Sequence, residues 1–182
     1  MKYIITERQL KLIKEDNIRK IDFEVFNNDW DLLQKFLERR GNPPYIIMGD
    51  LDLRNNKTIE SLGNLQSVGG DLALSFSKIK SLGDLQSVGG DLNLYNSNIE
   101  SLGNLVSVGG DLFLYDTNIT SLEKLESVGG NLDLAASKIV SLENLKSVGG
   151  NLDLEGTPLS AMTTKEEIRN MPNLTIEGEI FL

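Results

Sequence analysis

From residue 61 onward the apolar positions of this 182-residue chain return every 20 residues, without a gap, through five units: 61–80, 81–100, 101–120, 121–140 and 141–160. Each unit opens with Ser-Leu and carries Leu at its fifth position, Val-Gly-Gly at its eighth to tenth, and Leu-x-Leu at its twelfth to fourteenth. Around Leu72 the apolar residues fall at 72, 74, 79, 82, 85 and 88. Leu72 and Leu74 alternate as one face of a short strand. The later positions, spaced by three, suit a tight turn or 3₁₀ return, and twenty residues leave little room for a longer one. Such a period predicts a solenoid, in which each unit buries its apolar face against copies of itself.

The flanks read as ends of that solenoid. The stretch MGDLDLRNNKTIESL (48–62) matches the repeat with one extra residue before Ile59, which places a first strand at 50–54 and the solenoid at 48–160. Residues 1–47 read as an N-terminal helical cap. In it Thr6 and Gln9 suit a capping box, with Ile5 against Leu10 as a hydrophobic staple. IDFEVF (21–26) alternates like a strand, and Asn27 or Asn28 then caps a helix through DWDLLQKFLERR. Trp30, Leu33, Phe36 and Leu37 share the helix face that would cover the first repeat, and Gly41 with Pro43-Pro44 stops the helix. Residues 161–182 read as a capping helix and strand. Thr163 with Glu166 caps TTKEEIRNM, and NLTIEG (173–178) echoes NLDLEG (151–156) as the last strand. Seven strand positions at roughly 4.8 Å predict a sheet about 30 Å long.

The phase of Leu72, Leu74 and Ile79 resembles the leucine-rich repeat family, whose signature is L-x-x-L-x-L-x-x-N/C-x-L. The resemblance implies an α/β solenoid: a right-handed superhelix with a parallel β-sheet on its concave face and turns or 3₁₀ segments on its convex side. Gly69 replaces the first leucine, and Ser77, Ser97, Thr117, Ser137 and Thr157 stand where the family has asparagine. There the resemblance implies a buried ladder between successive coils, here built of hydroxyls, which donate and accept as the amide does.

Charge narrows the function. Lys+Arg is 18 against Asp+Glu 27, a net charge of −9, which disfavours direct nucleic-acid binding and anionic membranes and leaves basic proteins as partners. Cysteine and histidine are both absent, so thiolate catalysis, cysteine-ligated zinc and imidazole general base are excluded. No cofactor is expected. The opening MKYIITERQLKLI lacks the apolar core of a signal peptide, and no stretch reaches the roughly 20 apolar residues of a membrane span, so a cytoplasmic protein is expected. The same opening resembles the starts of small uncharacterised bacteriophage proteins, which implies a host cytoplasm.

The Gly-Gly-Asp of SVGGDL admits three readings. Phosphate-cradling glycines open a helix, whereas these open a strand and are followed by an acid. Asp50, Asp71, Asp91 and Asp111 would stack along one sheet edge, where a divalent cation would relieve their repulsion. Asn131, Asn151 and Asn173 take that position later, keeping a turn-forming side chain without the charge. That drift favours a turn into the strand, with Gly69 and Gly70 supplying positive φ or close approach and Asp71 bonding nearby amides.

Residues between the leucines point away from the core. One outward column reads Asp52, Ala73, Asn93, Phe113, Asp133, Asp153, Thr175, and the next Arg54, Ser75, Tyr95, Tyr115, Ala135, Glu155, Glu177. Phe76, Asn96, Asp116 and Ala136 lie beside them. Aromatic anchors rimmed by acids suit a protein contact, against the plain alternative that aromatics pair well across strands. The expected site is Phe76, Asp91, Asn93, Tyr95, Asp111, Phe113, Tyr115, Asp116 and Asp133. The expected function is non-catalytic binding of a basic protein partner through the concave sheet; the alternative is an acidic, nucleic-acid-mimicking decoy or inhibitor of a host nucleic-acid-binding protein, of viral origin. A carboxylate-pair enzyme would need a deep pocket that a single sheet rarely offers.

Overall fold

The computed structural model describes residues 19–182. The repeats form a β-solenoid of about five turns with two parallel sheets. The first sheet has eight strands: β1 (Arg19–Ile21), β2 (Tyr45–Ile47), β4 (Leu65–Val68), β6 (Ser87–Val88), β8 (Ser107–Val108), β10 (Ser127–Val128), β12 (Ser147–Val148) and β14 (Thr175–Ile176). The second has seven: β3 (Leu51–Asp52), β5 (Leu72–Ala73), β7 (Leu92–Asn93), β9 (Leu112–Phe113), β11 (Leu132–Asp133), β13 (Leu152–Asp153) and β15 (Ile180–Phe181). Register advances by one repeat: Leu72 pairs with Leu92, Leu92 with Leu112, and Val88 with Val108.

The single sheet with a turn or 3₁₀ return is therefore corrected. Ser-Val of the motif is itself a strand, and Gly-Gly is the corner between two sheets. Each coil buries Val from the first sheet, the Leu-x-Leu pair from the second, and residues such as Ile79, Leu82 and Leu85 from the remaining side, all at most 7% exposed. They form one core running the length of the solenoid.

Why glycine occupies the corner is a matter of space. A Cβ on Gly109 would drive into the backbone carbonyl oxygen of Gly89, and one on Gly110 into the Asp91 carboxylate, both in the preceding coil. Neither glycine has positive φ. Close approach, and not left-handed backbone, sets the requirement.

The N-terminal segment joins the first sheet through β1 and β2, paired Arg19 to Tyr45 and Ile21 to Ile47. In place of a strand over 21–26, a 3₁₀ turn runs Phe23–Phe26, because Asp22 accepts the Glu24 N–H and ends the extended backbone. Helix α1 (Trp30–Glu38) is capped by Asp29, whose side chain accepts the Leu32 N–H, and not by Asn27 or Asn28, which take left-handed φ of 55° and 57°. Its Trp30, Leu33, Phe36 and Leu37 are buried in the common core, as their spacing predicts. The expected Thr6/Gln9 box and Ile5/Leu10 staple lie outside the described residues.

At the other end the box is Thr164 with Glu167, one residue beyond the expected pair, and opens α2 (Lys165–Arg169). NLTIEG does not extend the Leu-x-Leu sheet: Thr175 pairs with Ser147 and Ile176 with Val148 in the first sheet. Ile180–Phe181 continues the second sheet, with Phe181 beside Asp153. Thr175 and Glu177 thus leave the outward columns, and Phe181 enters them. Among the described residues no helix is long and apolar enough to cross a membrane.

Two substitutions separate close approach from backbone strain. Gly63 has φ +60° with open space around its Cβ position, so Gly63→Ala should cost about 1 kcal/mol. Gly109→Ala should cost about 3 kcal/mol or more, because two coils must part to admit it. Denaturant unfolding of both variants reads the difference, and equal losses would refute the packing explanation.

Candidate functional site

Asp71 does not bond its own turn. Its backbone N–H donates to Asp50 Oδ1 (2.9 Å), and its own Oδ1 accepts the Asp91 N–H (2.9 Å). Asp91 accepts from Asp111 (2.8 Å), Asp111 from Asn131 (2.6 Å), Asn131 from Asn151 (2.8 Å) and Asn151 from Glu179 (2.8 Å). One side-chain oxygen per coil thus satisfies a corner N–H of the next coil. Asp and Asn serve equally, which accounts for the drift along the array. Glu179, and not Asn173, closes the ladder.

The hydroxyl ladder expected from the family resemblance is absent at the residues expected to form it. Ser77, Ser97, Thr117, Ser137 and Thr157 are buried, but Thr117 and Thr157 donate to Leu114 O and Leu154 O of their own coils (2.7 and 2.8 Å). Ser77 accepts only the Ile79 N–H at 3.4 Å, and the Ser97 and Ser137 hydroxyls have no hydrogen-bond partner. Inter-coil side-chain bonding at the corner belongs to the carboxylates and amides.

On the outward face of the second sheet, three rings meet. Phe76 and Tyr95 are edge to face with centroids 5.2 Å apart, and Tyr95 and Tyr115 stack at 5.3 Å and 14°. These three side chains are 43%, 37% and 38% exposed. Phe113 is half-buried in the neighbouring column, between Asn93 and Asp133. Ser75 and Ala135, at the two ends of the Tyr95–Tyr115 column segment, are recessed to 6% and 7%. Asn93 Oδ1 accepts the Tyr95 N–H (3.1 Å), the same backbone bond that Asp133 and Asp153 accept from Ala135 and Glu155.

Phe76 stands in left-handed backbone, φ 57°, at a position where the equivalent residues are Asn55, Asn96, Asp116, Ala136 and Gly156. A bulky aromatic there is a genuine outlier. The scaffold holds it from both sides: Phe76 N–H donates to Tyr95 O (3.0 Å), and the Lys57 ammonium donates to Phe76 O (2.5 Å).

Charge divides the face lengthwise. At its N-terminal end Asp52 is neutralised by Arg54 at 2.6 Å, whose hydrogen bonds hold its carboxyl below the ordinary range. The C-terminal half carries Asp116, Asp133, Asp153 and Glu155. Asp116 accepts a long bond from Asn96 Nδ2 (3.5 Å). Asp133 accepts the Ala135 N–H (3.0 Å), yet its carboxyl is pushed up, chiefly by burial and further by Asp153 beside it. Of the expected site residues, Asp91 and Asp111 belong to the corner ladder, while Phe76, Tyr95 and Tyr115 come together with Asp116 and Asp133 nearby. Phe181, 39% exposed, is not expected here, although Gly178-Glu179-Ile180 keeps the glycine and the acid-then-apolar order of corners such as Gly110-Asp111-Leu112.

Elsewhere the first sheet presents a shallow groove of about 440 Å³ along the serines and glycines from Ser67 to Ser147, without charge or aromatic anchor. A second cleft of about 490 Å³ lies between Asp22, Glu24 and Asn28 on one side and Asp50 and Asp52 on the other. Among the described residues no group of three or more acidic side chains is arranged to hold a metal ion. No protein-family model, curated protein or solved structure matches the chain. The bacteriophage resemblance of its opening residues is unsupported, and those residues lie outside the described ones.

Asp133 offers a test of the face's electrostatics. Its folded pKa lies above the ordinary 3.8, so from that value upward the folded state binds the proton more tightly than the unfolded one. Stability therefore falls as pH rises through that window, and below it the contribution vanishes. Asp133→Asn, which keeps the oxygen that Ala135 N–H needs, should raise Tm at pH 7 and lose that advantage at pH 3. A variant that melts lower at pH 7 would contradict the assignment.

Proposed function

We propose that this solenoid is a non-catalytic protein-binding module, and that its outward second sheet grips a basic protein partner through Phe76, Tyr95 and Tyr115. The observation that carries this is Phe76. Left-handed backbone costs an L-residue about 1–2 kcal/mol, and five other coils spend Asn, Asp, Ala or Gly at this position. Folding alone gives no reason to place a large exposed ring there, whereas strained, exposed aromatics are common at binding sites. The acids beyond the rings supply complementarity to a cationic partner and suppress neutral ones. The likeness of the Leu-x-Leu phase to leucine-rich repeats supports the same role by analogy.

The decoy reading shares the acidic face but not the rings. A decoy would bind through charge alone and lose affinity steeply with salt. The test uses three proteins: wild type, Phe76→Asn and Tyr95→Ala/Tyr115→Ala. Phe76→Asn loses a ring contact worth about 0.5–1.5 kcal/mol and relieves backbone strain of similar size, so its stability should stay within about 1 kcal/mol of wild type. Partners captured from the source cells should nevertheless be lost from both variants, roughly 10-fold or more in affinity, and retained by wild type at raised salt. Equal capture by all three proteins would sink the proposal. Loss of capture only at raised salt would favour the decoy.

A further inference from the structure

The rings form a stack that advances one coil at a time and then stops. Phe76, Tyr95 and Tyr115 succeed one another at 5.2 and 5.3 Å. In the next coil the outward residues shrink to Ala135, recessed, and Ala136, exposed, and after them comes Gly156. Tyr115 has a ring neighbour on the Tyr95 side, and on the other side the same register holds only a methyl group. A wall of aromatic rings therefore drops to a low step. Around the step stand Asp116, Asp133 and Glu155.

From Ala73 to Gly156 no Lys or Arg occupies the thirteenth, fifteenth or sixteenth position of any repeat. Lys78 and Lys138 follow only at the eighteenth, beyond the buried hydroxyl residue that turns the chain off this face. The carboxylates at the step thus lack a cation in their own columns, and burial already disfavours the charge on Asp133.

Resting on the binding-face reading above, we infer that the step over Ala136 is a seat for an arginine side chain of the partner. Its occupant must be flat, because the adjoining wall is a ring face and the next coil lies one strand spacing further, about 4.8 Å. It must be cationic, because a neutral ring would leave the carboxylates uncompensated. A guanidinium meets both conditions: it stacks on tyrosine and pairs with carboxylates through a planar fork. Lysine offers the charge without the plane.

The experiment uses fluorescein-labelled hexa-arginine and hexa-lysine peptides, which carry equal charge, with binding read by anisotropy. Wild type should prefer hexa-arginine by roughly 5- to 10-fold. Ala135→Tyr, a residue that the same register already accepts at Tyr95 and Tyr115, should extend the stack across the step and bring the preference to about 1. Should that variant fail to fold by circular dichroism, Glu155→Gln replaces it and should narrow the preference, whereas Glu100→Gln, the same charge change off the face, should leave it unaltered. Equal binding of both peptides to wild type, or a preference that survives the folded step-filling variant, overturns the inference. If the ring variants lose their captured partner while no arginine preference exists, only the seat falls. If ring variants change neither capture nor preference, the face falls with it.

Discussion

The close approach of adjacent coils at the glycine corner governs this fold. Two parallel sheets meet there in every turn, and each corner N–H must find an acceptor in the neighbouring coil as strand pairing lapses. The side chain at the eleventh position supplies it, from Asp50 through Asn151. That oxygen can reach only because the glycines it passes have no Cβ to block it. Gly-Gly-Asp is therefore one device in three residues: two remove volume and the third fills the space with an acceptor. Each such bond, exposed or partly buried, is worth about 0.5–1.5 kcal/mol net, and it recurs at every coil, so the motif is kept where the outward residues are free to change.

That freedom is confined to a few positions. Inward residues are locked by the continuous core, and the corner is locked by backbone contact. The outward residue of the two-residue strands in the first sheet is Ser in every coil from Ser87 to Ser147, whereas the thirteenth, fifteenth and sixteenth positions on the second sheet pass from Ala73, Ser75 and Phe76 through Tyr95, Phe113 and Tyr115 to Asp133, Asp153 and Glu155. Within a single chain the contrast is chemical: the first sheet keeps one small hydroxyl side chain, and the second carries rings and carboxylates. The contrast extends along the axis too, from the neutralised Asp52–Arg54 pair through three rings to the carboxylates.

Much of this architecture is legible in the letters, and the gaps have causes. The period and the Leu-x-Leu phase locate the second sheet because two buried leucines flank one outward residue. The first sheet hides, since a two-residue Ser-Val strand followed by glycines shows no alternation at all. Asn173-Leu174 spells like the start of a Leu-x-Leu strand, yet α2 lengthens the last coil, and only Gly178 preserves the corner that the ladder needs. Family likeness points to the hydroxyl column for a role that the Asp/Asn column performs by geometry. Of the site, the ring cluster is readable from spacing; the left-handed Phe76 and the recessed Ala135 are not, because both depend on how the coil turns after its fourteenth residue.

Left-handed residues show how a repeat scaffold tolerates its exceptions. At the third position Gly63, Gly83 and Gly103 have φ of 60–64°, but the next two coils place Glu123 and Glu143 there at 53° and 29°. At the sixteenth position Phe76 and Ala136 do the same among Asn, Asp and Gly. At the sixteenth position the backbone is held by the next coil, through Phe76 N–H to Tyr95 O and Ala136 N–H to Glu155 O, and at the third position by a serine two residues back, as Glu143 N–H to Ser141 Oγ. The conformation is imposed by the stack and not chosen by the residue, so a single unfavourable side chain is carried by coils that are individually favourable. A one-dimensional array in which each coil stabilises the next can thus bear strain at one coil without losing the fold. That places Phe76 where an isolated turn would not hold it, at the head of the ring stack, facing solvent.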